Sequence, residues 1–164
     1  AAEFKNTGGT ISSYGVNITA GNADGSGLWN YLVDFNTGNG TWKGSILIRN
    51  GNVEFYQTSD ARQKENIMKT DINALDILGG LQVVDYNFKK SPGAKHTGYI
   101  AQEVEKVLPE MVIYNERADA YAISTSTLIP VLHKAILEQQ KMIEIQAKKI
   151  EELENAVKLL LNNK

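Results

Sequence analysis

STLIPVLHKAILEQQKMIEIQAKKIEELENAVKLLL, residues 126–161, reads as one long helix, and the organisation of the chain can be worked out from it. Pro130 falls in the first turn, where a missing N–H costs least. Ile129, Ile136, Ile143, Ile150 and Val157 recur every seven residues, and three positions after each stand Leu132, Gln139, Gln146, Leu153 and Leu160. Read as a heptad, the a positions are all β-branched, while d is Leu at the ends and Gln in the middle. β-Branched a residues with Leu at d favour dimers. Gln at d relaxes that preference, because a wetter trimeric seam can hold it. The seam predicts association without fixing the number of chains. The alternative is a helix lying along its own domain, but a helix of this length finds little domain here to cover it.

Upstream, about residues 59–125 mix helix and strand. Asp60-Ala61-Arg62-Gln63 reads as a capping box, with Asp60 capping and Gln63 reaching back, so a helix is expected to start there. Ile72, Leu75 and Leu78 are spaced for one helical face, which Gly79-Gly80 ends. Val83 to Phe88 alternates as a strand, and Ser91-Pro92-Gly93 marks a turn. Ala101 to Leu108 is a short amphipathic helix stopped by Pro109, and Met111–Tyr114 with Ala120–Ile123 make a closing pair of strands. The segment is an α+β unit.

About residues 1–58 differ in kind. They hold ten of the fourteen glycines, both tryptophans and no proline. Short β-branched and aromatic runs alternate with Gly/Asn turns, as at Thr10-Ile11, Val16-Asn17-Ile18-Thr19 and Tyr31 to Phe35. Ser45 to Arg49, then Asn50-Gly51, then Asn52 to Tyr56 is the clearest hairpin, since Asn-Gly supplies the two positive-φ residues of a type I′ turn. So few large apolar residues make a poor core for one chain. Strands of this kind become stable when several chains share a core and cover each other's edges.

The bulk numbers set bounds. A chain of 164 residues is one ordinary domain or two small ones. Its hydrophobic share, 42%, leaves some surface to be buried against another chain. A net charge of −2 with interspersed signs argues against nucleic acid or an anionic membrane as main partner. The absence of cysteine excludes disulfides and thiolate metal sites, and two histidines, His96 and His133, are too few for a metal cluster. No cofactor is expected. Neither a signal peptide nor a membrane span is read.

The chemistry concentrates in Thr58-Ser59-Asp60-Ala61-Arg62-Gln63-Lys64-Glu65-Asn66-Ile67, where the β segment meets the α+β segment. A serine that attacks a carbonyl needs a base to take its proton. A lysine can serve if burial or the positive end of a helix dipole disfavours its ammonium. The expected helix after Asp60 would place Lys64 in its first turn. It would also place Ser59 just before that turn, near unpaired N–H groups able to hold an oxyanion. The bland reading is a capped helix with a solvated Lys-Glu pair.

Four ordered blocks closely resemble the C-terminal intramolecular chaperone and auto-processing domain of phage endosialidase tailspikes, tail fibres and neck appendages. The same module occurs in animal myelin regulatory factors. The blocks are Ser59 to Ile67, Val84-Asp85-Tyr86, His96-Thr97-Gly98-Tyr99-Ile100-Ala101-Gln102-Glu103-Val104, and Tyr121 leading to the Leu128-Ile129-Pro130 helix. The resemblance implies a homotrimeric domain that guides its own upstream fibre segment into an intertwined β-rich stalk and then cuts itself free. Carried onto this chain, Ser59 is the nucleophile, Lys64 the base and Thr58–Ser59 the scissile bond. Asp60, Arg62, Asn66, His96, Gln102 and Glu103 are supporting positions. Asp60 would cap and orient, and Arg62 would pair with a carboxylate of its own or a neighbouring chain.

The expected architecture is therefore the end of a β-rich trimeric stalk over 1–58, an α+β chaperone and auto-protease domain over 59–125, and a coiled-coil helix over 126–164. The implied setting is the host cytoplasm during assembly, with the mature fibre in the virion, where it can meet a host receptor. A second reading is a non-cleaving trimerisation tip that contacts the host. A membrane-tethered animal factor that releases a DNA-binding part fits the Gly-rich, weakly charged upstream segment poorly. His96 is expected as a hydrogen-bonded structural residue, Gln102 and Glu103 as structural or interface residues, and His133 as surface or interface. Trp29 and Trp42 fill or cover a shared core, or else bind a glycan.

Overall fold

The computed structural model describes residues 30–162, which belong to two compact units, Ala1–Met68 and Lys69–Lys164. The strands expected at Thr10-Ile11 and Val16 to Thr19, and Trp29, lie outside the described residues.

In the first unit, β1 (Asn30–Asn36), β2 (Trp42–Arg49) and β3 (Asn52–Gln57) form an antiparallel meander in sequence order. Asn50 and Gly51 hold φ of 49° and 78°, the left-handed pair of a type I′ turn, so the hairpin read from Asn-Gly is present. Its register runs from Arg49↔Asn52 to Gly44↔Gln57. Trp42 donates from Nε1 to Ser45 Oγ at 2.8 Å, and Ser45 Oγ in turn donates to Asp34 Oδ1 at 2.6 Å. Ser45 is buried, so this chain of bonds satisfies a hydroxyl that would otherwise be costly to bury.

The second unit is the expected α+β arrangement. In order come α1 (Ala74–Gly80), β4 (Val84–Phe88), β5 (Ser91–Gly98), α2 (Ala101–Val104), β6 (Val112–Asn115), β7 (Ala120–Ile123) and α3 (Leu128–Asn162). β4 pairs with β5 and β6 with β7, each as a separate antiparallel ribbon. Ribbons so small cannot close a core alone. Ala74 of α1, Val104, Leu108 and Met111 supply one side of it, and Leu128, Val131 and Ala135 of α3 the other.

Several boundaries differ from the expectation. No α-helix begins at Asp60: Ala61–Gln63 is a single 3-10 turn, and α1 starts only at Ala74. Ser91-Pro92-Gly93 is not the reversal between β4 and β5. Lys89-Lys90 turns the chain, and the register passes from Asn87↔Lys95 to Phe88↔Ser91. Pro92 thus falls in a bulge, where its missing N–H breaks no ladder bond. The amphipathic run 101–108 is helical only to Val104, but it still buries Val104 and Leu108.

The terminal helix is 35 residues long, with Pro130 in its first turn as expected. Its core contacts come from Leu128, Val131 and Ala135. The apolar heptad positions, from Ile129 to Leu160, are 42–70% exposed. The two sets occupy different faces, and the face read as a seam is not the one that packs on the domain.

Candidate functional site

The site is built on the end of β3. The Thr58 N–H donates to Lys43 O at 2.9 Å, which carries the β2–β3 pairing one residue past Gln57. Ser59 therefore follows directly on the last pinned residue of a hairpin. Asp60 then caps the 3-10 turn, its Oδ1 accepting from the Arg62 N–H at 2.9 Å. The turn closes through Gln63 N–H to Asp60 O and Lys64 N–H to Ala61 O, both at 3.0 Å.

That turn folds the chain back far enough for residue 64 to meet residue 59. Lys64 Nζ donates to Ser59 Oγ at 2.7 Å. Both residues are exposed, and Lys64 leaves the turn with extended backbone, φ −123° and ψ 149°. The two side chains meet, but by a different route from the one expected. Lys64 lies after a one-turn 3-10 segment rather than in the first turn of an α-helix, so no macrodipole acts on it.

Arg62 pairs with Asp60 of its own chain, Nη2 to Oδ2 at 2.5 Å and Nε to both oxygens at 3.0–3.1 Å. The Arg62 guanidinium, joined by the Arg62 N–H, holds the Asp60 carboxyl below its ordinary value, and Asp60 raises Arg62 in return. The arginine side chain is 89% exposed, so the pair orients the cap more than it stabilises the fold. Asn66 takes a left-handed φ of 52° where the chain leaves the site. Asn tolerates that region better than most residues.

The other positions belong to the second unit. His96 lies opposite Tyr86 across the β4–β5 ribbon and stacks on it, ring centroids 5.6 Å apart, with Phe88 edge-on at 5.1 Å. It is part of an aromatic cluster. Gln102 shares a hollow of about 920 Å³ with Tyr86, Phe88, Tyr99, Tyr114 and Tyr121. Glu103 pairs with Lys106 at 2.7 Å. His133 flanks a smaller hollow with Lys69 and Leu137.

Two relationships were not read from the sequence. One is the Lys43–Thr58 bond, which an extension of the Asn-Gly register by two residues would have given. The other is Glu138, whose Oε2 accepts from the Leu75 N–H at 3.0 Å while Oε1 pairs with Lys134 at 2.7 Å. Only the i,i+4 half of that arrangement is visible in sequence.

Residues 59–113 match the peptidase S74 family, described as the chaperone of endosialidase. The long tail fiber protein Gp37 of Enterobacteria phage Ox2 is 35% identical over 103 residues, which is 58% of this chain and 41% of that protein. The chain thus spans about two fifths of that relative's length. The matched region begins at Ser59, the residue that Lys64 contacts, so residues 59–113 carry the match to the chaperone-of-endosialidase domain of the peptidase S74 family, with distant homology to a phage long tail fibre protein.

Proposed function

We propose that this chain is the end of a phage fibre joined to the chaperone that folds it, and that the chaperone releases itself by cutting Thr58–Ser59. The observation that carries the reading is the 2.7 Å contact between Lys64 Nζ and Ser59 Oγ, immediately after the pinned Thr58. In the reaction, neutral Lys64 takes the Ser59 hydroxyl proton as Oγ bonds to the Thr58 carbonyl carbon. The C–N bond breaks, and the proton passes from Lys64 to the departing Ser59 nitrogen. Water then hydrolyses the Thr58 ester, leaving a Thr58 carboxylate, a Ser59 α-amine and the hydroxyl restored.

Base action requires the ammonium to lose its proton, which desolvation favours. Both members of the dyad are exposed in the single chain, so neighbouring chains would supply that burial. The exposed a/d stripe of α3 is the surface through which three chains would assemble. On this reading the functional boundary is 58/59: stalk before it, α+β chaperone over 59–125, coiled coil over 126–164. Assembly takes place in the host cell, and the fibre part enters the virion. A three-chain helper raises the effective concentration of strands whose long-range pairing is otherwise slow. Its removal leaves the product kinetically trapped.

Intact mass under denaturing conditions tests the reading on wild type, Ser59→Ala and Lys64→Ala. Two wild-type fragments divided at 58/59, with both variants whole, are expected. A single full-length species from well-folded wild type would remove the protease and leave a trimerisation tip.

A further inference from the structure

A tetrahedral intermediate at Thr58 needs a donor for its oxyanion, and the sequence pointed to the N–H groups of a following helix. The structure has already committed several of those groups. The Arg62 N–H serves the Asp60 carboxylate, and those of Gln63 and Lys64 close the 3-10 turn. The donor has to be sought on another side of the carbonyl.

The β2–β3 register supplies one. Residues flanking a two-residue hairpin turn form a pair that exchanges both N–H···O bonds, and such pairs then alternate along the ladder. Starting from Arg49↔Asn52, the bonded pairs are Leu47↔Glu54 and Ser45↔Tyr56, and the next is Lys43↔Thr58. At that last pair, one of the two bonds a closed pair would hold is present, Thr58 N–H to Lys43 O at 2.9 Å. The reciprocal one would run from the Lys43 N–H to Thr58 O, the oxygen of the scissile carbonyl. Gly44 keeps the strands close at this point: a Cβ there would lie 2.2 Å from Tyr56 O.

We infer that the backbone N–H of Lys43 is the oxyanion donor of the self-cleavage, so that the fibre's own β2 strand completes the active site of the domain that folds it. The inference rests on the proposed cut at Thr58–Ser59. It gives the half-closed pair a role: the N–H of Thr58 holds the residue in place while its carbonyl stays open to attack by Ser59 Oγ. As the oxygen gains charge, the second ladder bond forms and strengthens, which is how a fixed amide lowers a barrier. Gly44 is a positioning residue in this arrangement. Cleavage then depends on β2 and β3 being paired at their open end, which links the cut to completed folding of the client.

The test compares the first-order self-cleavage of wild type with that of a chain carrying the lysine α-hydroxy acid at position 43. The hydroxy acid replaces the backbone N–H by oxygen and keeps the side chain. It should cleave about 10²–10³-fold more slowly, the usual loss for one oxyanion donor. Wild-type speed from the hydroxy acid would overturn the inference while leaving the Ser–Lys cut standing. Absence of wild-type cleavage would overturn both. If the hydroxy-acid chain does not fold, the cleaved wild-type protein gives the answer by NMR. The Lys43 amide proton should move with the Thr58 terminal carboxylate, which titrates around 3.3–3.7 in free chains. An amide shift that ignores that titration would count against the donor.

Discussion

The carboxylate of Glu138, in the third turn of α3, receives the backbone N–H of Leu75 in the first turn of α1, 3.0 Å away and 63 residues earlier. Asn73, the N-cap of α1, makes no side-chain cap bond, so a residue from another helix does the capping. Lys134 holds the same carboxylate from the preceding turn of α3. Glu138→Gln should lower Tm by a few degrees and raise amide exchange in α1 first.

The same contact sets an acid limit. Lys134, then the Leu75 N–H, hold the Glu138 carboxyl below its ordinary value. A group whose folded pKa is depressed stabilises above its unfolded value and loses that contribution as pH falls through the folded one. The α1–α3 contact should thus be whole above about 4.3 and weaken below it. Thermal melts of wild type and Glu138→Gln from neutral to acid pH should converge as the acid end is reached.

Lys64→Arg separates charge from basicity. Arginine can still donate to Ser59 Oγ, but it does not give up its proton in proteins. Self-cleavage should fall by at least about 10²-fold, the lower range for loss of a general base, with assembly unchanged. Fragment yield against time, read beside size-exclusion light scattering, checks both.

Ile136→Asp with Ile143→Asp places charges on the exposed stripe and none in the core. The chain should become monomeric by light scattering, keep its helix content in the domain, and stay uncut. Cutting by a monomer would show that the dyad needs no neighbour.

Gly51 sits at φ 78°, where a Cβ costs about 1–2 kcal/mol. Leu108, 2% exposed, belongs to the buried cluster of the second unit. Leu108→Ala should cost about 2–5 kcal/mol by denaturant melts, and Gly51→Ala the smaller amount.

What could be read in advance follows from how local each signal is. The Asn50-Gly51 hairpin, the β6–β7 pair and the long helix rest on period and turn chemistry within a few residues, and all are present. The Ser59–Lys64 approach was expected from spacing and family resemblance, and the contact exists. Its support was misread: the Asp60 cap is real, but one 3-10 turn satisfies it and no apolar stripe continues the helix through Lys64 to Asn73. Ser91-Pro92-Gly93 looked like a reversal because the same residues serve turns and bulges alike. Glu138 on Leu75 could not be read, since nothing local says which distant N–H a carboxylate will reach.

The two faces of α3 carry a further consequence. Leu128, Val131 and Ala135 seat the helix on its domain, while Ile129, Ile136 and Ile143 lie about a third of a turn round it. A helix clamped along one line cannot spin to hide another. The domain therefore fixes the compass bearing at which the stripe is shown. Chains meeting through it would arrive already aligned, their α+β domains facing outward at matching angles.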